Sequence, residues 1–259
     1  MYPIFRLSTA AALLALAVSP GGARGETNML FILDGSNSMW GQIEGVPKIT
    51  TAQDVLATLL DDLPKDTKVG LMVYGHLDKS SCTDIELLSP IGGDSAETLA
   101  AKVKGVKPKG KTPIAGALAA SAAAFAQTIG QNNNVVLISD GLETCDGDPC
   151  AAAAALNTAN IQARVHVIGF DVGAEERRQL ECIPAAGKGR YFSAGNAGEL
   201  KAAVAEVKKV AAVVEQKPEP PKPPKPQLRE VFRDEFDGDN LADHWEVVNP
   251  DPDAFIVEN

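Results

Sequence analysis

Met29-Leu-Phe-Ile-Leu-Asp-Gly-Ser-Asn-Ser38 joins an apolar run to a loop with three oxygen-bearing side chains at alternate positions. The run Met29–Leu33 has the continuous hydrophobicity of a parallel strand buried on both faces, ending at Asp34. In an extended loop, alternate residues point the same way. Asp34, Ser36 and Ser38 are therefore expected to converge at the top of a sheet. One carboxylate and two hydroxyls are hard oxygen donors, suited to Mg2+, Ca2+ or Mn2+ rather than zinc or copper.

Outward from this stretch, strands and helices alternate. The pattern predicts strands at Met29–Leu33, Lys68–Tyr74, Asp84–Leu88, Asn134–Ser139, Arg164–Phe170 and Arg190–Ser193. Between them it predicts helices at Ile49–Leu63, Ala96–Val106, Pro113–Gly130, Cys150–Asn160, Ala174–Ala185 and Gly198–Ala212. Strand–helix alternation implies an α/β fold, doubly wound, with a mostly parallel six-stranded sheet and helices on both faces. The gap between Tyr74 and Asp84 is too short for a helical crossover, so Asp84–Leu88 is expected to be one antiparallel edge strand. Ligands of such sheets bind beyond the carboxyl ends of the strands, where Asp34 stands.

Two further oxygen donors belong at that edge. Thr112 opens the Ala-rich helix, and Asp140 ends the apolar strand Val135-Val-Leu-Ile-Ser139. With them the chain resembles the von Willebrand factor type A family, whose fold is Rossmann-like. Asp34, Ser36 and Ser38 match its D-x-S-x-S motif, Thr112 its threonine and Asp140 its second aspartate, over about residues 27–212. Asn37 stands where the family usually has Gly, and Asn tolerates the same tight backbone. The resemblance implies a metal-ion-dependent adhesion site. The hydroxyls of Ser36, Ser38 and Thr112 would bind the cation, and Asp34 and Asp140 would act directly or through water. One coordination position would remain for a carboxylate of a partner protein.

Simpler roles exist for each residue. Ser36 and Ser38 suit a turn, Thr112 before Pro113 suits a helix cap, and Asp140-Gly141 suits a turn. Enzymatic rivals are weaker. Gly105-Val-Lys-Pro-Lys-Gly110-Lys-Thr112 satisfies the phosphate-loop pattern of nucleotide hydrolases, but it follows a helical segment rather than a strand. A serine hydrolase needs a His base, and His76, His166 and His244 are the three available. His166 reads as a packed core residue and His76 as a surface residue near the upper edge. Trp40 reads equally as a contact aromatic or as packing over the loop. Lys79, Lys107, Lys109 and Lys111 read as solvated loop charges. No catalysis is expected.

The net charge of -10 argues against nucleic acid as a partner. Residues 1–25 read as a cleaved secretory signal peptide: Arg6, an apolar Leu7–Val18, Pro20, then Ala23-Arg-Gly25. That makes the protein secreted, periplasmic or cell-envelope, with no membrane span after cleavage. Export makes Cys82, Cys145, Cys150 and Cys182 disulfide candidates with three possible pairings. Cys145–Cys150 with Cys82–Cys182 is the favoured set. Residues 26–212 form the α/β domain, and 213–228 a Pro/Lys-rich linker of stiff polyproline character. Residues 229–259 read as the truncated start of a second, all-β domain. Phe236-Asp-Gly-Asp-Asn-Leu and Trp245-Glu-Val-Val there resemble the opening of concanavalin A-like lectin or glucanase domains. That resemblance implies an alternative function, a carbohydrate-binding envelope protein in which the α/β domain is a scaffold.

Overall fold

Every residue of the strand β1 (Thr27–Asp34) is buried, because β1 is flanked by strands on both edges and by helices on both faces. The computed structural model describes residues 26–128, 131–158 and 161–211. The expected signal peptide, linker and lectin-like segment lie outside the described residues.

After β1 come a short 3-10 turn (Asn37–Trp40), a hairpin of β2 (Gln42–Ile43) and β3 (Val46–Pro47), and helix α1 (Lys48–Asp61). Then follow β4 (Thr67–Tyr74), β5 (Ile85–Ser89), α2 (Ala96–Gly105), α3 (Ile114–Ala124), β6 (Asn132–Ser139) and α4 (Pro149–Thr158). The chain continues through β7 (Arg164–Phe170), α5 (Ala174–Ala186), β8 (Tyr191–Ala194) and α6 (Ala197–Ala211). Six strands form one sheet in the order β5-β4-β1-β6-β7-β8. All neighbours are parallel except β4 and β5, so the antiparallel edge expected from the short connection is present. The chain winds outward from β1 in both directions. The topological switch point therefore lies between the carboxyl ends of β1 and β6, where such sheets open a crevice.

The alternation of side chains along β1 divides the interior in two. Met29, Phe31 and Leu33 pack with Ile49 and Leu56 of α1, Val103 of α2 and Val204 of α6. Leu30 and Ile32 pack with Ile114 and Leu118 of α3, Leu156 of α4 and Ile183 of α5. Truncating a fully buried residue such as Leu30 to Ala costs about 2–5 kcal/mol. The Ala-rich helix α3 ends at Ala124, short of the Gly130 suggested by composition. The β2–β3 hairpin and the 3-10 turn have no signature in hydrophobic periodicity, because each is too short to show one.

The disulfides are Cys82–Cys145 and Cys150–Cys182, with Cα–Cα distances of 5.5 and 5.7 Å. This corrects the favoured pairing of Cys145 with its near neighbour. Cys150 starts α4, which packs against α5 and so faces Cys182. Cys145 stays in the loop after β6, beside the β4–β5 loop that carries Cys82. Contact between connections decided the pairing, not closeness in sequence.

Candidate metal centre

Asp34 is carried to the switch point as the last residue of the buried strand β1. The chain then turns at Gly35, whose N–H donates to the carbonyl of Tyr74 at 2.9 Å. A Cβ at Gly35 would lie 2.7 Å from that same carbonyl oxygen, so only glycine allows the approach. Ser36 runs alongside Gly110 as an isolated parallel bridge, and Asn37 N–H donates to Gly110 O at 3.0 Å. From Asn37 the loop coils into the 3-10 turn, which buries Met39 beneath it. Ser38 thus lies in a helical turn rather than the extended loop expected from alternation.

The hydroxyls still meet. Ser36 Oγ and Ser38 Oγ are 2.9 Å apart. Ser38 Oγ donates to Asp140 Oδ1 at 2.6 Å. Its one proton is therefore used, so in the Ser36–Ser38 contact Ser36 is the donor. Asp34 Oδ1 accepts from the N–H of Ser36 at 2.7 Å, and Oδ2 from Ser139 Oγ at 2.6 Å. Asp140 Oδ2 lies 3.1 Å from Lys48 Nζ, yet this buried oxygen has no hydrogen bond of good geometry. Lys48 also reaches Asp171 Oδ2 at 2.9 Å.

Thr112 joins through its backbone. Its N–H donates to Thr144 Oγ1 at 2.8 Å, and its carbonyl accepts from Thr144 N–H at 3.1 Å. Its loop abuts the first through the Gly110 contacts. The structure thus links Asp34, Ser36, Ser38 and Asp140 through side-chain or local hydrogen bonds and sets Thr112 in the adjoining loop. Asp34, Ser36, Thr112 and Asp140 are buried, while Ser38 is exposed.

Two buried carboxylates, Asp34 and Asp140, lie close enough to influence one another. Burial pushes the Asp34 carboxyl up to about 6, the Asp140 charge adds to this, and hydrogen bonds from Ser139 and Ser36 oppose it. Burial and the Asp34 charge likewise hold the Tyr74 hydroxyl well above its ordinary range. The pKa of Lys48 is raised: burial alone would lower it, but Asp171 and Asp140 outweigh burial. The candidate donors, two carboxylates and three hydroxyls with no nitrogen or sulfur, would suit Mg2+, Ca2+ or Mn2+. Among the described residues, no group of three or more His, Cys, Asp or Glu offers a rival site.

Several other residues are resolved by their contacts. His76 Nε2 is 3.0 Å from Glu86 Oε2, so its ring belongs to the β5 side and not to this centre. The exposed Trp40 donates from Nε1 to Pro108 O at 2.8 Å. The phosphate-loop pattern does not make a phosphate loop: Gly105 ends helix α2, and the N–H groups of Lys109 and Gly110 are bound to Gly35 O and Gly75 O. Lys48, Ser139 and Thr144 escaped sequence reasoning. Ser139 directly precedes Asp140, which was the one available signal. Lys48 and Thr144 sit in no motif.

Residues 29–143 match the family model for the von Willebrand factor type A domain. The chain is 34% identical over 186 residues to the uncharacterized protein YwmD of Bacillus subtilis (strain 168), covering 69% of this chain and 83% of that protein. The chain belongs to the von Willebrand factor type A family. Solved structures share the fold. An aerotolerance-related membrane protein from Bacteroides fragilis NCTC 9343 superposes with a TM-score of 0.59 at 20% identity, covering 71% of this chain and 99% of that one. Proximal thread matrix protein 1 of the mussel byssus, with a zinc-occupied MIDAS motif, gives 0.59 at 16% identity, covering 73% and 46%. These likenesses are of fold. Type A domains are generally interaction modules, and the family can hold a metal at this motif.

Proposed function

We propose that this type A domain is a divalent-cation-dependent protein-binding module. Asp34, Ser36, Ser38, Thr112 and Asp140 would hold Mg2+, Ca2+ or Mn2+, and a carboxylate of the partner protein would complete the coordination. The carrying observation is the meeting of Asp34, Ser36, Ser38 and Asp140 at the switch point, where the buried Asp140 Oδ2 has Lys48 Nζ at 3.1 Å as its counter-charge. Neutral hydroxyls withdraw little positive charge from a bound ion, so the ion stays attractive to an incoming carboxylate. The exposed member, Ser38, stands where a partner has access.

The surrounding surface supports the same reading. Of the described residues, the exposed large apolar side chains are Trp40, Val46, Leu77 and Leu87. Trp40, Val46 and Leu77 belong to the loops and hairpin following β1 and β4, beside the candidate centre. Trp40 is held by its bond to Pro108 O, and Leu77 N–H is held by Asp84 Oδ2 at 2.7 Å. Of these, the exposed Trp40 is the residue type enriched at the centres of contact surfaces. Lys107, Lys109 and Lys111 flank them, which favours an acidic partner segment despite the acidic chain.

Export is part of the proposal. The leader-like residues 1–25 and two disulfides among the described residues fit an oxidising envelope or extracellular location. No helix among the described residues is long and apolar enough to cross a membrane. Isothermal titration of the full chain with Mg2+ tests the site. Asp34→Ala and Thr112→Ala should each abolish binding; Asp34 is buried and accepts from Ser36 and Ser139, so its variant is compared only after circular dichroism shows a folded chain. Unchanged Mg2+ affinity in both variants would refute it.

A further inference from the structure

The Cys82–Cys145 bridge joins two connections at the rim of the candidate centre, and their hydrogen bonds lead from it to the proposed ligands in both directions. Cys82 lies in the β4–β5 loop, which supplies no ligand. That loop nevertheless holds two that do. Gly75, at its start, accepts from Gly110 N–H at 2.7 Å and from Lys109 N–H at 3.1 Å. Lys109 N–H also reaches Gly35 O at 2.9 Å, so the Asp34 loop, the Gly75 loop and the Thr112 loop meet at one point. A Cβ at Gly75 would lie 2.3 Å from Lys111 O, which shows how closely the last two pack.

On the other side, Cys145 follows Thr144, and Thr144 makes the two reciprocal bonds to Thr112. Cys145 N–H donates to Glu143 Oε1 at 2.7 Å, while Glu143 Oε2 accepts from Ala115 N–H at 2.8 Å in the first turn of α3. The segment 143–145 is therefore bound to the start of α3, directly after Thr112. The same connection begins with Asp140. The disulfide thus closes a ring: Gly75 loop, Thr112, Thr144, Cys145 and back to Cys82. The second bridge, Cys150–Cys182, joins α4 to α5 and reaches this network only at one remove, where Gln179 Oε1 of α5 accepts from Glu143 N–H at 2.7 Å.

We propose that the Cys82–Cys145 bridge, acting through Thr144, is a positioning element of the cation site, so that the oxidised chain binds a divalent ion more tightly than a chain lacking this bridge. It touches no bound ion itself. It fixes the separation of the connection bearing Asp140 from the connection bearing Thr112, whose hydroxyl must be set before the ion arrives. Neutral hydroxyl ligands make this matter, because they attract an ion weakly unless already in place. The inference rests on the cation-site reading above.

The test is Mg2+ titration by calorimetry on the folded full chain, comparing wild type, C82S/C145S and C150S/C182S. The expected result is an affinity at least about tenfold weaker for C82S/C145S, a factor equal to 1.4 kcal/mol. C150S/C182S should stay within about twofold of wild type, although both pairs lose thermal stability. A merely structural bridge would lower stability and leave the affinity of the folded chain alone. Thr144→Val keeps the bridge but removes the acceptor for Thr112 N–H, and it should also weaken Mg2+ binding. If C82S/C145S does not fold, Thr144→Val decides the matter. Wild-type affinity in folded C82S/C145S, or in Thr144→Val where that variant must stand alone, overturns the inference. A wild-type chain that binds no divalent ion overturns the cation-site reading itself, a different and recognisable outcome.

Discussion

Replacing Lys48 by Met tests whether Asp140 stands ready for a divalent ion. Lys48 Nζ is 3.1 Å from Asp140 Oδ2, and the two side chains are 12% and 0% exposed. At an effective dielectric constant of about 20, that separation corresponds to roughly 5 kcal/mol of gross attraction. Part of this is offset by the cost of desolvating the ammonium, and removing one partner of a buried pair typically costs about 3–5 kcal/mol. The contact of Lys48 with Asp171 adds little, since Asp171 is 45% exposed. Lys48→Met in EDTA should therefore lose about 3 kcal/mol, because Asp140 would then face the buried Asp34 carboxylate without a counter-charge. A divalent ion held by Asp140 supplies that charge from another direction. Urea denaturation in 10 mM Mg2+, on the order of 100 dissociation constants for a site of about 0.1 mM, should shrink the deficit to about 1 kcal/mol, which by linkage requires the variant to bind Mg2+ roughly 30-fold tighter than wild type. The Mg2+ affinity of the variant should also rise, since a fixed positive charge has gone from the site. An equal deficit with and without Mg2+ would refute this account of Asp140.

The two glycines of the phosphate-loop-like stretch should behave oppositely. A Cβ at Gly110 would lie 2.1 Å from Asp78 O, so Gly110→Ala should disrupt its bonds to Gly75 O and Asn37 N–H and cost about 2 kcal/mol or more in thermal denaturation. A Cβ at Gly105 meets nothing within 4 Å, so Gly105→Ala at the end of α2 should be neutral or stabilising by up to about 1 kcal/mol. His166 should impose a pH dependence. It is fully buried, its Nδ1 accepts from Arg190 N–H at 3.2 Å, and Nε2 faces Asn134 Oδ1 at 3.4 Å. Burial, then the charges of Arg164 and Arg190, hold its pKa down to about 4 from 6.5. The neutral ring's contribution is thus fully present above pH 6.5 and is lost as pH falls towards 4, by about 3 kcal/mol. His166→Gln should flatten that part of the stability curve in urea titrations between pH 7.5 and 4. Parallel curves for variant and wild type would count against it.

The α/β winding was legible because its determinants repeat. Five apolar residues at Met29–Leu33 can be satisfied only by a strand covered on both faces, and the helical spacing around Ile49–Leu63 supplies a cover. The proposed ligands were legible for a different reason. Asp34, Ser36 and Ser38 are neighbours in the chain, and Thr112 and Asp140 each stand at the junction of an element and a loop. Such junctions fall at one edge of a parallel sheet whatever the details of packing.

Tertiary packing decided the rest, because it brings together residues that no local pattern connects. Lys48 opens an ordinary amphipathic helix, and only the docking of α1 beside the β6 loop turns its ammonium onto Asp140. Thr144 is an unremarked loop threonine until the Thr112 loop lies against it. The four cysteines permit three pairings in sequence, and the choice follows from which connections touch. Periodicity and element boundaries are properties of a chain segment. A counter-ion, a supporting hydrogen bond or a cross-link is a property of two segments meeting, which depends on the whole fold.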